Sequence, residues 1–503
     1  MFNSKSIQGI IALIVGTFLA VWLGLSIVTN QSETIIQIAA ATVLLTCLFL
    51  GNKIWLLLIF FSAVNVMLFR GFGTSEIGQI LFLTFCGLMF LMRRLPLKPS
   101  FGELEYWILL LSFCVLQTFF RNPVGLNIFG AGSVGGKPYI LVTLSILSAL
   151  VLANLKIEPR QIKWAMYLTF VGSLFGIPFN ILVSGVNDSS TQGFDNSVQD
   201  GATRIPTLSV AALIIARWLI SFISPLRACF HPLWAPVLLL SLAAAAGSGY
   251  RNAVAGISLT YVFGLIYRGG FRSLASSVVS LTTALVALAL INSNFPLPGN
   301  IQRALSPFPG TWEKRYVDDA ENSTDWRMEM WVEALGSDKW IHDKVLGDGV
   351  GMTSEQLKIN QARRETGKLA NGLLAQQEAM LVNGSYHSGP VHTIRAVGYV
   401  GLTILLMTMI RTAVYAHRQI GRCRGTEWFP VALFFCVPTI SLPIYFVFIF
   451  GEFQSGIAAV VFGIAMVRLL EKNLPIPAFV EKRKIPYSIP SNFATNRNKF
   501  IEV

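Results

Sequence analysis

The chain has 503 residues, 53% of them hydrophobic and only 13% charged, with a mean hydropathy of +0.59. Soluble domains carry about 25% charged residues, so this composition excludes a mostly water-exposed surface. The net charge of +13 does not point to nucleic acid, because Lys and Arg gather in short loops and the C-terminal tail, as the positive-inside rule and an anionic inner leaflet require.

Apolar stretches of about 20 residues fit bilayer-spanning helices. In chain order they predict fourteen spans: 8–29, 34–51, 53–70, 75–92, 104–120, 138–155, 161–184, 204–223, 231–249, 251–268, 273–291, 389–411, 428–450 and 453–470. Residues 8–29 are too long for a signal-peptide core and no A-x-A site follows, so they read as a retained span. With the N-terminus inside, the inner loops hold Arg93, Arg94, Lys98, Lys156, Arg160, Lys163, Arg268, Arg272, Arg411, Arg418 and Arg422. The short outer loops hold far fewer: Arg70, Arg121, Lys137, Arg204 and Arg251. The expected fold is an all-α, polytopic transmembrane protein in four parts. Residues 1–291 carry eleven spans, 292–388 a large outer loop, 389–470 three spans, and 471–503 a basic inner tail lying against membrane lipids. The six cysteines show neither zinc-site spacing nor a disulfide framework.

A loop as long as 292–388 is usually functional. Within it TDWRMEMWVEAL predicts an amphipathic helix, with Trp326, Met330 and Ala334 on one face and Trp331 and Leu335 alongside. Gly347, Gly349 and Gly351 mark a tight irregular turn, and 354–382 suits a second, more polar helix. No internal repeat of the transporter kind is visible.

The chemistry-bearing stretch is GSYHSGPVHTIRAVGYVG, residues 384–401. Ser388 is a good N-cap and Pro390 suits a first helical turn, which puts His387 just ahead of a helix N-terminus. That positive end disfavours imidazolium and welcomes phosphate, so one place offers a base and an anion seat. Gly398 and Gly401 fall near the same helical face as His387 and would admit a neighbouring helix. His392 is the competing base, about 140° round the helix. Arg251, at an outer span end after Gly247-Ser248-Gly249, is either a headgroup anchor or a bidentate phosphate clamp. Arg327, on the face of Trp331, is either a solvated charge or a second clamp, and Arg121, Arg204 and Arg395 can complete a cationic pocket. The bland alternative for His387 itself is an ordinary interfacial histidine.

The run from His387 resembles the signature of the bacterial O-antigen ligases: a histidine, a small polar residue (Ser388), nine residues, then a glycine (Gly398) and a second small residue three further on (Gly401). The wider O-antigen ligase/polymerase group is also similar in a mid-chain arginine at an outer span end (Arg251) and in a loop arginine followed by tryptophan (Arg327, Trp331). One departure is Tyr250, where the family often has Ser before the arginine. The resemblance implies a GT-C-like fold and inverting glycosyl transfer that needs no metal and no cofactor. It implies an undecaprenyl-diphosphate-linked glycan as donor and a glycan or lipid A-core as acceptor, with His387 as base and Arg251 and Arg327 on the diphosphate. The competing class is a lipid-linked oligosaccharide flippase or transporter. Transporters concentrate charge mid-span and keep outer loops short, whereas here the loop is long and the notable charges sit at span ends.

Overall fold

The computed structural model describes residues 53–69, 72–97, 99–124, 135–186, 205–306, 308–351, 380–381 and 384–475. The predicted spans 8–29 and 34–51, nearly all of the predicted helix 354–382, Arg204 and the basic tail lie outside these residues.

Apolar chain in lipid has to satisfy its own backbone, and helices do this segment by segment. The first half of the chain forms α1 (Ile54–Val64), α2 (Thr74–Leu91), α3 (Glu103–Arg121), α4 (Lys137–Ala153), α5 (Pro159–Val186), α6 (Pro206–Phe222) and α7 (Trp234–Gly247). Then come α8 (Arg251–Asn294), α9 (Gly299–Leu305), α10 (Lys314–Gly336), α11 (Gly389–Cys423), α12 (Phe429–Phe448) and α13 (Phe453–Asn473). Among the described residues, α2, α3, the first part of α5 (Pro159–Asn180), α11, α12 and α13 are long and apolar enough to cross a membrane. The helices α1, α4, α6 and α7 are apolar but shorter.

Four predicted spans change shape. The stretch 53–70 becomes the 11-residue α1, about 16 Å long against a hydrocarbon core of about 30 Å. Asn65 ends it in the left-handed region (φ 42°), and the chain turns back through an antiparallel ribbon, Met67–Phe69 with Phe72–Gly73. The stretches 251–268 and 273–291 join without a loop into α8, broken only at Gly270 (φ 71°, ψ −179°), a backbone region open essentially to glycine. The stretch 389–411 continues to Cys423 and is broken at Gly398 (φ 71°, ψ −176°).

Helix α3 shows which solvent these helices meet. Ile108, Leu111 and Val115 are buried, while Phe113 and Phe120 on the outward side are 67% and 77% exposed. A helix that keeps large apolar side chains on its outward face is built for lipid. The core runs through α11, α12 and α13, where Leu405, Leu433, Val460, Ile464 and Leu469 are fully buried.

At the end of this bundle away from the large loop, ion pairs lock α13 to α3. Arg468 Nε pairs with the fully buried Glu105 at 2.7 Å, and Lys472 Nζ lies 3.7 Å from the same carboxylate. The other Glu105 oxygen accepts the Gly102 N–H (2.9 Å), and Arg411 pairs with Glu103 at 2.9 Å. A buried charge stripped of its partner is more damaging than losing the pair as a whole. Glu105→Ala is therefore expected to cost about 3–5 kcal/mol. Glu105→Leu combined with Arg468→Met should lose much less. Thermal unfolding of the detergent-purified protein reads the difference, and equal losses would refute it.

Candidate functional site

Residues 384–401 fold as the sequence suggests at their start. The Ser388 hydroxyl caps α11 by accepting the Val391 N–H (3.5 Å), and Pro390 sits in the first turn. His387 stands just before the cap at φ 51°, a left-handed conformation that costs a non-glycine residue about 1–3 kcal/mol and recurs at functional sites. Its ring lies 5.9 Å from that of Phe450, in the turn after α12. His392 has a different task. Its Nδ1 accepts the N–H of Phe453, the first residue of α13, at 3.3 Å. That bond satisfies an otherwise orphaned helix-start donor and puts the ring proton of the neutral imidazole on Nε2. The His392 Nδ1 lone pair is committed to the fold.

The amphipathic loop helix exists and is longer than expected. In α10, Met330 and Ala334 are fully buried, and Trp326, Trp331 and Leu335 pack around a small core with Tyr386, Val391 and Ile394. The Trp331 indole N–H donates to the carbonyl of Tyr386 at 2.7 Å, which holds the peptide immediately before His387. Arg327 lies one turn back along α10, its guanidinium 5.6 Å from the Trp326 ring. One further turn back, Thr324 accepts a hydrogen bond from Arg251 Nη1 (3.3 Å). Thr324 and Trp331 are seven residues apart, about 10 Å along the axis. One helix therefore touches Arg251 at one point and the His387 segment at another, with Arg327 between.

Arg251 opens α8 after a turn made by Gly249 (φ 71°). Tyr250 replaces the serine of the resembled pattern, and its N–H is taken by the Ser248 hydroxyl (3.2 Å). The buried Arg303 donates to the Gly249 carbonyl at 2.8 Å and holds the turn from the loop side.

The glycine turn and Gly398 prove to be parts of one joint. A break at Gly398 takes backbone groups of α11 out of the helix's own ladder, and the loop meets four of them. Asp348 N donates to Arg395 O (2.7 Å) and Gly349 N to Ala396 O (3.1 Å), while Tyr399 N donates to Lys344 O (2.8 Å) and Val400 N to Val345 O (3.2 Å). Gly347 (φ 84°) and Gly349 (φ 101°) supply the loop's backbone geometry. A Cβ on Gly398 would run into the Val345 carbonyl, so this glycine admits a loop where a neighbouring helix was expected. A Cβ on Gly401 would meet only the side chain of Val397 across the kink. His387 lies outside the helix and Gly398 interrupts it, so the shared helical face inferred from spacing does not exist.

Arg121 serves this joint. Arg121 pairs with Asp343 and reaches Gly347 O (3.5 Å), and Gln117 and Asn122 bond Leu346 O (2.9 Å) and Asp348 O (3.1 Å). The Leu346 N–H foremost, then Arg121 and the Val345 N–H, hold the Asp343 carboxyl below its usual range. A lowered value means the clamp acts in full above the ordinary carboxylate range and loosens only as pH falls through that lowered value. The Arg395 guanidinium fills the space where Gly384 (φ 69°) lacks a Cβ, two residues before Tyr386.

No protein-family model and no curated protein matches the chain. What the site can do is read from its own geometry.

Spacing left three residues unnoticed. Tyr386 is fully buried, and its hydroxyl has no hydrogen-bond partner among the described residues. Arg303 is buried behind the Arg251 turn, and nothing in its polar surroundings in the sequence signals that. Arg217 interrupts the apolar run PTLSVAALIIARWLISF of α6, and a lone charge in such a run was a legible signal.

Gly398→Ala is expected to unseat the loop. Limited proteolysis should cut near 343–350 in this variant, and Gly421→Ala, whose added methyl meets nothing within 4 Å, should stay as resistant as the parent. Equal resistance in both would show that the joint tolerates a side chain.

Proposed function

We propose that the chain is a metal-independent, inverting glycosyltransferase that moves a glycan from undecaprenyl diphosphate to an acceptor hydroxyl at the outer face of a bacterial inner membrane. The observation that carries this reading is the double grip of α10: Thr324 on Arg251, Trp331 on the carbonyl before His387, and Arg327 between them. A base and two guanidinium groups gathered near a membrane surface suit the attack of a sugar hydroxyl on a diphosphate-activated anomeric carbon.

In that reaction His387 takes the acceptor proton as the oxygen attacks. The bond from the anomeric carbon to the diphosphate oxygen breaks on the opposite face, so a single displacement inverts the centre. Charge grows on the departing diphosphate, and Arg251 and Arg327, with the N-terminus of α11 nearby, are the groups to balance it. The left-handed backbone at His387 and its tie to Trp331 support a preset base, because a strained residue persists only where its surroundings hold it. The fourteen-span count, the GT-C-like class, the periplasmic orientation of the site and the cytoplasmic termini belong to this proposal. Polysaccharide polymerisation and ligation to lipid A-core share the donor and the chemistry, and both fit the same residues.

A second reading, a flippase for lipid-linked oligosaccharides, draws support from one observation, the mid-helix Arg217.

His387→Asn tolerates the left-handed backbone and removes the base, so glycan transfer should fall about 10²–10⁴-fold with membrane insertion intact. Arg251→Lys keeps the charge and loses the bidentate fit, and a loss of about 10²-fold is expected. Both are measured with a lipid-linked donor in reconstituted vesicles. Full transfer in the His387 variant would end the base assignment. Sugar flux across the vesicle wall with no bond formed would favour the flippase.

A further inference from the structure

Arg217 stands within the apolar run of α6, and several contacts fix which way it faces. The start of α6 is tied to the turn before Arg251, where Ile205 N donates to Ser248 O at 3.0 Å. The helix runs away from that turn, and side chains on a helix lean towards its N-terminus, so Arg217 reaches back towards the Arg251 end. One turn closer to that end is Leu213. A Cβ on Gly256 of α8 would lie 3.2 Å from Leu213 Cδ2 and 3.1 Å from Tyr445 Cε2, so α6, α8 and α12 meet at this level.

This junction lies directly under the candidate site. Gly256 is five residues after Arg251, about 7 Å along the axis. The Tyr445 carbonyl accepts the N–H of Phe450 (3.0 Å), and the Phe450 ring faces His387 at 5.9 Å. Arg217 is itself only half-buried, and its Nε, enclosed by apolar chain, has no hydrogen-bond partner. A guanidinium held among apolar helices with an unused donor is costly unless an anion comes to it. A headgroup carried on a membrane lipid is the anion available at that depth.

We infer that Arg217 and Tyr445 form a lipid-phosphate site on the membrane side of the His387 segment, with the guanidinium gripping phosphate oxygens and the phenol donating a further hydrogen bond. The proposed transferase chemistry identifies the lipid as the polyprenyl diphosphate carrier. The site itself asks only for a phosphate on a lipid.

The test is a binding titration of the purified full chain, followed by native mass spectrometry, with a polyprenyl diphosphate, phosphatidylglycerol and inorganic diphosphate as separate probes. Arg217→Gln should weaken the polyprenyl diphosphate at least tenfold. Arg217→Lys and Tyr445→Phe should each weaken it severalfold, and Arg160→Gln, near the opposite end of the helices, should leave it unchanged. Thermal unfolding screens each variant for folding, and Arg217→Lys serves if the glutamine variant fails to fold. Parental affinity in both Arg217 variants overturns the site. Inorganic diphosphate bound as tightly as the lipid, with the same dependence on Arg217, overturns the lipid requirement. Phosphatidylglycerol bound as tightly as the carrier, and equally sensitive to Arg217, supports the site and counts against the carrier reading alone.

Discussion

A helix within a membrane protein can break only where other protein replaces the backbone partners that the break removes, since no water is at hand to do it. In α11 the loop supplies that replacement: four groups around Gly398 are met by Lys344, Val345, Asp348 and Gly349. Each bond contributes only about 1 kcal/mol net, but each freed group left buried and unmet would cost about 1–3 kcal/mol. The loop and the broken helix thus depend on each other. Removing the loop makes the kink untenable, and straightening the helix leaves the loop's own amides and carbonyls without partners.

The candidate site inherits its geometry from this joint. Once 343–349 is seated, the chain that enters it from α10 is fixed at one end, and α10 packs its buried face on Tyr386, Val391 and Ile394. Its tryptophan then grips the peptide before His387. The strain at His387, about 1–3 kcal/mol, is of the size that this packing and one partly buried hydrogen bond can offset. His392, five residues later, is unstrained and ties α11 to α13. Two histidines close in sequence thereby differ: His392 ties two helices together, and His387 stands in a strained turn ahead of α11.

Much of this was legible in the sequence because hydropathy and caps are local properties. Helices α2, α3, α12 and α13 fall within a few residues of the apolar runs that predict them, and the Ser388 cap and the amphipathic face of α10 follow from spacing alone. The misreadings share a cause. Gly398 sits in an apolar helical pattern where glycine ordinarily signals a helix neighbour, and nothing local says that a loop from fifty residues upstream will fill the gap. The left-handed turn at His387 and the early stop at Asn65 are likewise set by what packs beyond them. Arg217 is the opposite case: a lone arginine inside the apolar run of α6 is a local signal, visible in the sequence alone.

Arg217 also bears on what separates transfer from transport. On the proposed reading, a half-buried cation on a lipid's path and a strained histidine at the path's end are different investments. The first only attracts an anion, which either activity requires. The second is costly to fold and gives nothing to a protein that merely passes its cargo across. A left-handed histidine held by an indole from a separate loop helix makes physical sense if the imidazole has to meet a reacting atom at a set angle. For a carrier of lipids, an unstrained polar residue at that position would serve equally well. The joint at Gly398 sharpens this contrast, because it stiffens the very segment that an alternating-access cycle would need to move.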